Sequence, residues 1–311
     1  MPVLARSSLG GSEDGVERRK PRRHAPLRVR RVAIVTGANS GVGLETARGL
    51  AQRGFHVVLA VRDLAKGEVA ARDIDGHLSP PQQVTCEPMR LDLADLGSVR
   101  AFATAFLARH ERLDVLVNNA GIHTAQRALS AQGHELTFAT NHLGHFLLTH
   151  LLLDILKRSA PARIVNVASE AHWFARRVEP GGPAGGGLWD GVTAYNQSKL
   201  ANVMFTYALA RRLEGTGVSA FAVHPGAVRT GWGRGRDSGV FRFATKLATP
   251  FLVSPERGAR TSVHAATSPE LEGRSGLYLV RSRPSRSSGP SRDVEAQERL
   301  WRASEELVGL R

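Results

Sequence analysis

A tyrosine and a lysine four residues apart, Tyr195 and Lys199, are the residues of this 311-residue chain best suited to proton transfer. If the segment is helical, both side chains lie on one face and can act on the same molecule. A nearby ammonium group favours the ionised phenol, so Lys199 is expected to lower the pKa of Tyr195 from about 10. The pair therefore predicts a general acid/base, although this spacing alone also fits two solvated side chains.

A glycine-rich segment, Thr36 to Gly43, directly follows the apolar run Val32 to Val35 and precedes a stretch with a helical pattern. Glycines at such a turn let the backbone approach a pyrophosphate, and the helix N-terminus offers free N–H groups. The spacing is T-G-x-x-x-G-x-G and not the G-x-G-x-x-G of the general dinucleotide fingerprint. The turn residues expected to contact a coenzyme are Gly37, Asn39, Ser40, Gly41, Val42 and Gly43.

The glycine turn, the segment Asn118 to Gly121, Asn141, Ser169 and the Tyr195/Lys199 pair together resemble the short-chain dehydrogenase/reductase family over roughly residues 32 to 280. Residues 141–146 and 195–202 resemble its retinol-dehydrogenase-like branch. The resemblance implies hydride transfer between NAD(P) and a carbonyl or alcohol carbon, with no metal in the reaction. It also implies the catalytic roles. Tyr195 moves the proton, Lys199 also binds the nicotinamide ribose, Ser169 positions the substrate oxygen, and Asn141 bends its helix and holds a water that links the lysine to solvent.

Coenzyme choice is expected to be made at the end of the predicted second strand, at Val61, Arg62 and Asp63. A carboxylate there binds the ribose 2′-OH of NAD, whereas an arginine accommodates the 2′-phosphate of NADP. NAD-preferring relatives tend to have Asp where this chain has Val61, and NADP-preferring relatives have a basic residue where it has Arg62. Asp63 either caps the next helix or competes for the ribose. We therefore expect NADP, with NAD as the alternative.

Later strands are expected to add further coenzyme contacts where they end. By the same resemblance, the pair after the third strand meets the adenine, the segment after the fourth strand lies close to a ribose, and the segment after the sixth meets the nicotinamide carboxamide. Helix capping is an equally good role for the acid of that adenine pair. The residues concerned are Asp92 and Leu93, then Asn118, Ala120 and Gly121, and finally Pro225, Gly226, Val228 and Thr230.

The pattern of strands and helices predicts one Rossmann-type α/β domain, doubly wound, with a mostly parallel sheet of about seven strands and helices on both faces. The expected division is a basic flexible arm over residues 1–31, the NAD(P)-binding domain over residues 32–280, and a linker with a C-terminal helix over residues 281–311. The single cysteine, Cys86, excludes an internal disulfide and a cysteine-based zinc site. The histidines at positions 142, 145 and 150 lack a carboxylate or cysteine that would complete a ligand set, so we assign them to packing.

The net charge of +14 comes largely from two segments. Residues 1–31 hold nine lysines and arginines against three acids, and residues 274–292 hold five arginines and no acid. Because both are poor in large apolar residues, we expect mobile, solvated arms and favour these over nucleic-acid binding.

The sequence has no signal-peptide pattern and no apolar run of 18 residues, so a cytoplasmic location is expected. Peripheral membrane contact and a homo-oligomer stay open as partners beside the small-molecule substrate. A non-catalytic dinucleotide sensor is the alternative function, although it would not need Ser169, Tyr195 and Lys199 together.

Overall fold

The computed structural model describes residues 30–78, 86–183, 190–226 and 253–311. Strands and helices alternate along these ranges. The strands are β1 (Val32–Thr36), β2 (His56–Val61), β3 (Cys86–Arg90), β4 (Val115–Asn118), β5 (Ala162–Val167), β6 (Val218–His224), β7 (Leu277–Val280) and β8 (Arg283–Ser285). The α-helices are α1 (Gly41–Ala51), α2 (Leu64–Gly76), α3 (Leu96–Leu107), α4 (Leu136–Phe138), α5 (Gly144–Leu151), α6 (Leu153–Arg158), α7 (Gly191–Arg212), α8 (Pro255–Thr267) and α9 (Val294–Leu307).

All eight strands form one sheet in the order β3-β2-β1-β4-β5-β6-β7-β8. Neighbours from β3 to β7 pair in parallel, and only β8 runs antiparallel, against β7. This confirms the doubly wound fold and adds one strand to the seven expected. Strands β1 and β4 are neighbours in the sheet although β2 and β3 separate them in sequence. The order in which strands are added to the sheet therefore reverses between β1 and β4. Open α/β sheets bind ligands beside such a switch point, at the carboxyl ends of the strands.

Each face of the sheet is covered by helices over its own hydrophobic cluster. On one face α1, α2 and α8 contribute buried residues such as Leu50, Ile74 and Ala265. On the other face α3, α5, α7 and α9 contribute Phe102, Phe146 and other large side chains. Strand residues are apolar on both faces, as expected for parallel strands that solvent does not reach. The buried sheet therefore offers its edge loops, and not its faces, for binding.

The segment after Val280 is folded, which corrects the expectation of a mobile linker. This segment contains strand β8. Its arginines are exposed to solvent, whereas Ser287, Ser288 and Ser291 are buried. The serine hydroxyls bond within the segment and to α7, because Tyr207 Oη lies 2.7 Å from Ser287 Oγ. Small hydroxyl side chains can be buried wherever they find such partners. A composition rich in Arg, Ser and Pro was therefore a poor guide to mobility here.

The last helix, α9, packs against α7 and closes one face of the sheet. Trp301 is buried and lies 5.1 Å from the Phe146 ring and 5.8 Å from the Phe205 ring. Arg212 stacks over the indole at 3.9 Å, and Arg211 pairs with Glu298 at 2.9 Å. The amphipathic C-terminal helix expected from the sequence is therefore an integral part of the domain core.

Candidate active site

The glycine turn between β1 and α1 brings main chain against main chain. Gly37 and Gly41 have φ values of +65° and +57°, which L-residues with side chains rarely adopt. A Cβ on Gly43 would lie 2.4 Å from the Gly37 carbonyl oxygen and 2.5 Å from Asn119 Nδ2. The Ser40 side chain makes no capping hydrogen bond to α1. The first N–H groups of α1 thus fit an anionic phosphate, and the turn fits the pyrophosphate of a dinucleotide.

Thr36, at the end of β1, clamps this turn to the segment that follows β4. Its hydroxyl accepts hydrogen bonds from the N–H groups of Asn119 and Ala120, both at 2.9 Å. Asn119 Nδ2 in turn donates to the Thr36 carbonyl at 2.8 Å. The same hydroxyl lies 2.9 Å from Nε2 of the fully buried His145. Thr36 was named only as the start of the glycine-rich segment and His145 only as a packing residue, so this contact was not predicted from the sequence.

Arg62 and Asp63 follow β2 at the carboxyl edge of the sheet. Arg62 is exposed. Asp63 caps α2, because its carboxylate accepts from the Lys66 N–H at 3.2 Å and pairs with the Lys66 ammonium at 3.1 Å. Of the two roles expected for Asp63, the structure therefore shows the helix cap.

The Asp92 carboxylate does not cap α3. It accepts from the Ala94 N–H at 3.0 Å, while Asp95 caps the helix through the Gly97 N–H at 2.9 Å. The capping alternative thus belongs to Asp95. Leu93 is buried, and its carbonyl oxygen lies so close to Gly144 that a Cβ there would be 2.4 Å away.

In the segment after β4, Asn118 holds the fold together and Gly121 lies next to the Tyr195/Lys199 pair. The Asn118 side chain is buried and donates to Thr149 Oγ1 at 3.0 Å and to Asn166 Oδ1 at 2.8 Å. It therefore ties β4 to β5, and any coenzyme contact is left to its main chain. Gly121 faces the reaction centre, because a Cβ there would lie 3.3 Å from Lys199 Nζ and 3.4 Å from Asn141 Oδ1.

Asn141 lies in a single π-helical turn, Ala139–Leu143, that connects α4 to α5. Its side chain forms a closed pair of hydrogen bonds with the main chain of Ile122, accepting from N–H at 2.8 Å and donating to the carbonyl at 3.0 Å. It also donates to Ser198 Oγ at 3.0 Å. π-helical turns of this kind occur often at functional sites. Asn141 thus joins the segment after β4 to helix α7.

Tyr195 and Lys199 lie one turn apart on α7, as expected; Lys199 is buried and Tyr195 is half-buried. The Lys199 ammonium donates to the Val167 carbonyl at 3.0 Å and lies 5.5 Å from the centre of the Tyr195 ring. Ser169, after β5, accepts from the Ala171 N–H at 3.2 Å. Four elements, β4, β5, α7 and the π turn, therefore converge on one point at the carboxyl edge.

Burial dominates the electrostatics of this pair. It raises the pKa of Tyr195 above its ordinary value, although a hydrogen bond with Ser169 acts in the opposite direction. Burial also lowers the pKa of Lys199 to about 8. The expected lowering of the Tyr195 pKa by Lys199 is therefore not found, because desolvation disfavours the phenolate and the ammonium bonds to Val167 instead.

The segment after β6 is described only to residue 226. Pro225 and Gly226 lie at the end of β6, and Gly226 has a φ of +89°. The expected contacts Val228 and Thr230 lie outside the described residues. Among the helices of the described ranges, none is long and apolar enough to cross a membrane.

Comparison with known proteins agrees with this geometry. The short chain dehydrogenase family model matches residues 31–239. Retinol dehydrogenase 12 of Bos taurus is 45% identical over 281 residues, which cover 90% of this chain and 87% of that protein. A crystal structure of an uncharacterized protein from Mycobacterium Paratuberculosis superposes with a TM-score of 0.72 and 38% identity, over 90% of this chain and 93% of the other.

The Pseudomonas aeruginosa RhlG/NADP active-site complex aligns with a TM-score of 0.61 and 25% identity, covering 80% of this chain and 94% of that one. The glycine turn, the Tyr195/Lys199 pair and these matches lead to one conclusion. The chain belongs to the short-chain dehydrogenase/reductase family of NAD(P)-dependent oxidoreductases, in its retinol-dehydrogenase-like branch.

Proposed function

We propose that this chain interconverts a fairly apolar alcohol and its carbonyl compound with NADP(H), using Tyr195 as the proton donor or acceptor. When bound, the coenzyme supplies or accepts the hydride. The observation that carries the proposal is the Tyr195/Lys199 pair at the carboxyl edge, with the half-buried phenol beside Ser169 and the buried ammonium one helical turn away. A phenol in this position can exchange its proton with the oxygen of a bound substrate.

Each neighbour of Tyr195 has a distinct task in this proposal. Ser169 Oγ holds the substrate oxygen next to the phenol. Lys199, whose ammonium is held by the Val167 carbonyl, binds the nicotinamide ribose. Asn141, fixed by Ile122 and Ser198, supports the path by which that proton is replaced. The glycine turn and Arg62 hold the pyrophosphate and the 2′-phosphate.

NADP is favoured over NAD by the charge at the end of β2. Arg62 is exposed there, and the neighbouring carboxylate of Asp63 is engaged by Lys66. The acid that directly follows β2 is thus engaged by its own helix, whereas NAD-specific sites use a carboxylate here for the ribose 2′-OH. An NADP complex among the structural neighbours, RhlG, supports the same preference.

The substrate class follows from the relatives and from the surroundings of Ser169. The matched mammalian protein is named a retinol dehydrogenase, which indicates an apolar alcohol or aldehyde. Next to Ser169, Trp173 and Phe174 are exposed, with 78% of Phe174 open to solvent. Exposed aromatic rings at the mouth of a site favour apolar ligands. Cytoplasmic location, a homo-oligomer and peripheral membrane contact stay predictions.

A panel of carbonyl compounds and alcohols, retinal and retinol among them, tests the proposal. Purified protein is given each carbonyl compound with NADPH or NADH and each alcohol with NADP+ or NAD+, and the loss or gain of reduced coenzyme is followed by absorbance. We expect turnover of apolar carbonyls with NADPH and slower turnover with NADH. A Tyr195→Phe preparation made in parallel shows how much activity comes from contaminants. Tight NADPH binding without turnover of any compound would instead favour the coenzyme-sensing function.

A further inference from the structure

Three side chains with metal-binding atoms meet at the amino edge of the sheet, opposite the coenzyme site. His56 is the first residue of β2, Glu87 lies on the adjacent strand β3, and His110 follows α3. Glu87 Oε2 lies 3.3 Å from His56 Nε2 and 3.1 Å from His110 Nε2. The ligand atoms all lie within 4.8 Å of one another, and no other group of three such residues was found in the described ranges.

These distances suit a small divalent ion. Zinc binds histidine nitrogen and carboxylate oxygen at about 2.0–2.2 Å, usually in tetrahedral geometry, so neighbouring ligand atoms stand roughly 3.3–3.5 Å apart. The two measured separations are close to that value. Two imidazoles and one carboxylate are also a ligand set that zinc, nickel and cobalt accept. We propose that His56, Glu87 and His110 form a binding site for a divalent transition-metal ion, with water in the fourth position.

The surroundings hold the three ligands in place. Arg109 donates to Glu87 Oε1 at 2.8 Å, which leaves Oε2 turned towards the two imidazoles. The His110 ring stacks on Phe106 at 4.5 Å between ring centres. Metal ligands are commonly oriented by such outer contacts. The charge of Arg109 opposes an ion, yet its side chain is 59% exposed and therefore strongly screened by solvent.

His110 also supplies an observation independent of the distances. Its Nε2 atom is buried and makes no hydrogen bond of acceptable geometry within the described structure, although Glu87 Oε2 is near. A buried ring nitrogen without a partner is costly, and a bound ion would satisfy it. The side chains of His56 and Glu87 remain partly exposed, so an ion can enter from solvent.

Binding here should stabilise the fold and leave the chemistry alone. The three ligands come from the starts of two strands and the end of a helix, so one ion joins three segments that are distant in sequence. Because an ion that binds the folded chain and not the unfolded chain stabilises it, the melting temperature should rise with ion concentration. The site lies at the opposite ends of the strands from Tyr195, so turnover should not depend on the ion.

The test uses full-length protein without an affinity tag, freed of metal by a chelator. Zinc binding is measured by competition with a chromogenic chelator, and cobalt binding by visible absorption, which is more intense for tetrahedral than for octahedral cobalt. We expect one ion per chain, a tetrahedral cobalt spectrum, and a rise of several degrees in melting temperature with zinc. His110→Gln and His56→Asn should each weaken zinc binding at least about tenfold.

His77→Gln is the matched control, because His77 also faces an acid, Asp73 at 3.6 Å, but has no third ligand. It should bind zinc like the wild type. The cobalt spectrum of the wild type requires no variant, so it decides the matter even if a substitution at His56 or His110 unfolds the chain. The proposal is overturned if the wild type shows no tetrahedral cobalt band, or if His77→Gln loses as much zinc affinity as His110→Gln.

Discussion

The coenzyme half of the site, from Thr36 to Gly121, is shaped by main chain, whereas the substrate half around Tyr195 is shaped by buried side chains. In the first half, glycines allow backbone segments to touch, and the Thr36 hydroxyl fastens them together. In the second half, a buried ammonium lies one helical turn from a half-buried phenol. The difference indicates two ways to fail. The coenzyme half should lose function when an added side chain pushes its backbone segments apart. The substrate half should lose function when a proton-transferring group is removed, even if the fold is unchanged.

Removal of the Tyr195 hydroxyl should have the largest effect on turnover. In Tyr195→Phe the ring fills the same space and only the transferable proton is lost, so kcat should fall by about 10²–10⁴. NADPH binding and melting temperature should change little. Tyr207→Phe is the control on the same helix, since its hydroxyl bonds to Ser287 away from Lys199. Turnover of Tyr195→Phe within a few-fold of wild type would remove Tyr195 from the chemistry.

Lys199→Met should reduce both turnover and coenzyme binding while it stabilises the fold. The pKa of Lys199 falls from 10.5 to about 8 on burial, so the buried ammonium costs about 3 kcal/mol. This cost is fully present below pH 8 and disappears as the pH rises towards 10.5, because the folded chain then holds fewer protons than the unfolded chain. Removal of the ammonium by Lys199→Met therefore raises the free energy of unfolding, but by about 1 kcal/mol less than this cost, because the hydrogen bond to Val167 is lost as well.

Thermal unfolding of wild type and Lys199→Met between pH 6 and about 10.5 measures this balance. The variant should melt higher at pH 6 to 7, and the two curves should converge at alkaline pH. Lys157→Met, which removes an exposed lysine at the end of α6, should show no such pH-dependent difference. A variant less stable than wild type at neutral pH would show that the ammonium is better satisfied than its burial indicates.

Gly43→Ala tests the coenzyme half by adding a single methyl group. That methyl would lie 2.4 Å from the Gly37 carbonyl oxygen, so the turn must shift, at a cost of about 1–3 kcal/mol. NADPH affinity should fall along with the melting temperature. Gly76→Ala, at the end of α2 with no atom within 4 Å of the added Cβ, should leave both unchanged or improved. Equal behaviour of the two variants would contradict a main-chain site.

Arg62→Ala should weaken NADPH binding and leave NADH binding nearly unaltered. A charge-assisted contact with the 2′-phosphate is worth about 1.5–3 kcal/mol, or roughly ten- to hundredfold in affinity. Dissociation constants of both coenzymes, measured by fluorescence titration, provide the comparison. Arg72→Ala is a suitable control, because this exposed arginine lies on the following helix. Equal losses for both coenzymes would leave Arg62 without a role in the choice between them.

Most of the fold and the composition of the site were predictable from sequence, because both rest on local patterns. The order of strands and helices, the glycine turn and the spacing of Tyr195 and Lys199 are read directly along the chain. The function as an NAD(P)-dependent oxidoreductase is confirmed by the family match. The roles of individual residues stay predictions, and the structure shows only that Asn141, Tyr195 and Lys199 come together.

What sequence missed depends on contacts between distant segments. The pKa of Tyr195 is governed by how many atoms surround it, which no four-residue spacing reveals. The buried serines after β8 looked like a solvated linker because their partners are on α7. The histidines at positions 142, 145 and 150 are close in sequence and were assigned to packing, whereas His56, Glu87 and His110, which are distant in sequence, are brought together by the sheet and the end of α3.

Deletion of the N-terminal arm should have the smallest effect on turnover and stability. The structure also shows where the arm ends. Arg31 was expected to be part of the flexible arm, yet it is held by the fold. Its carbonyl accepts from the His56 N–H at 2.9 Å, and its guanidinium lies 4.1 Å from the centre of the Phe55 ring. Removal of residues 1–31 therefore deletes contacts of the domain itself.

We expect removal of residues 1–29 to leave melting temperature and kcat unchanged, since that segment has few large apolar residues. Removal of residues 1–31 should lower the melting temperature by a few degrees. The lost stacking and hydrogen bond are worth about 1–2 kcal/mol, and each kcal/mol corresponds to roughly 2–4 °C in a domain of this size. Neither truncation should change kcat, because neither half of the site contains these residues. A lower kcat after removal of residues 1–29 would show that the arm contributes to the coenzyme half or to the substrate half of the site. The NADPH affinity of the same truncated protein would identify which half is affected.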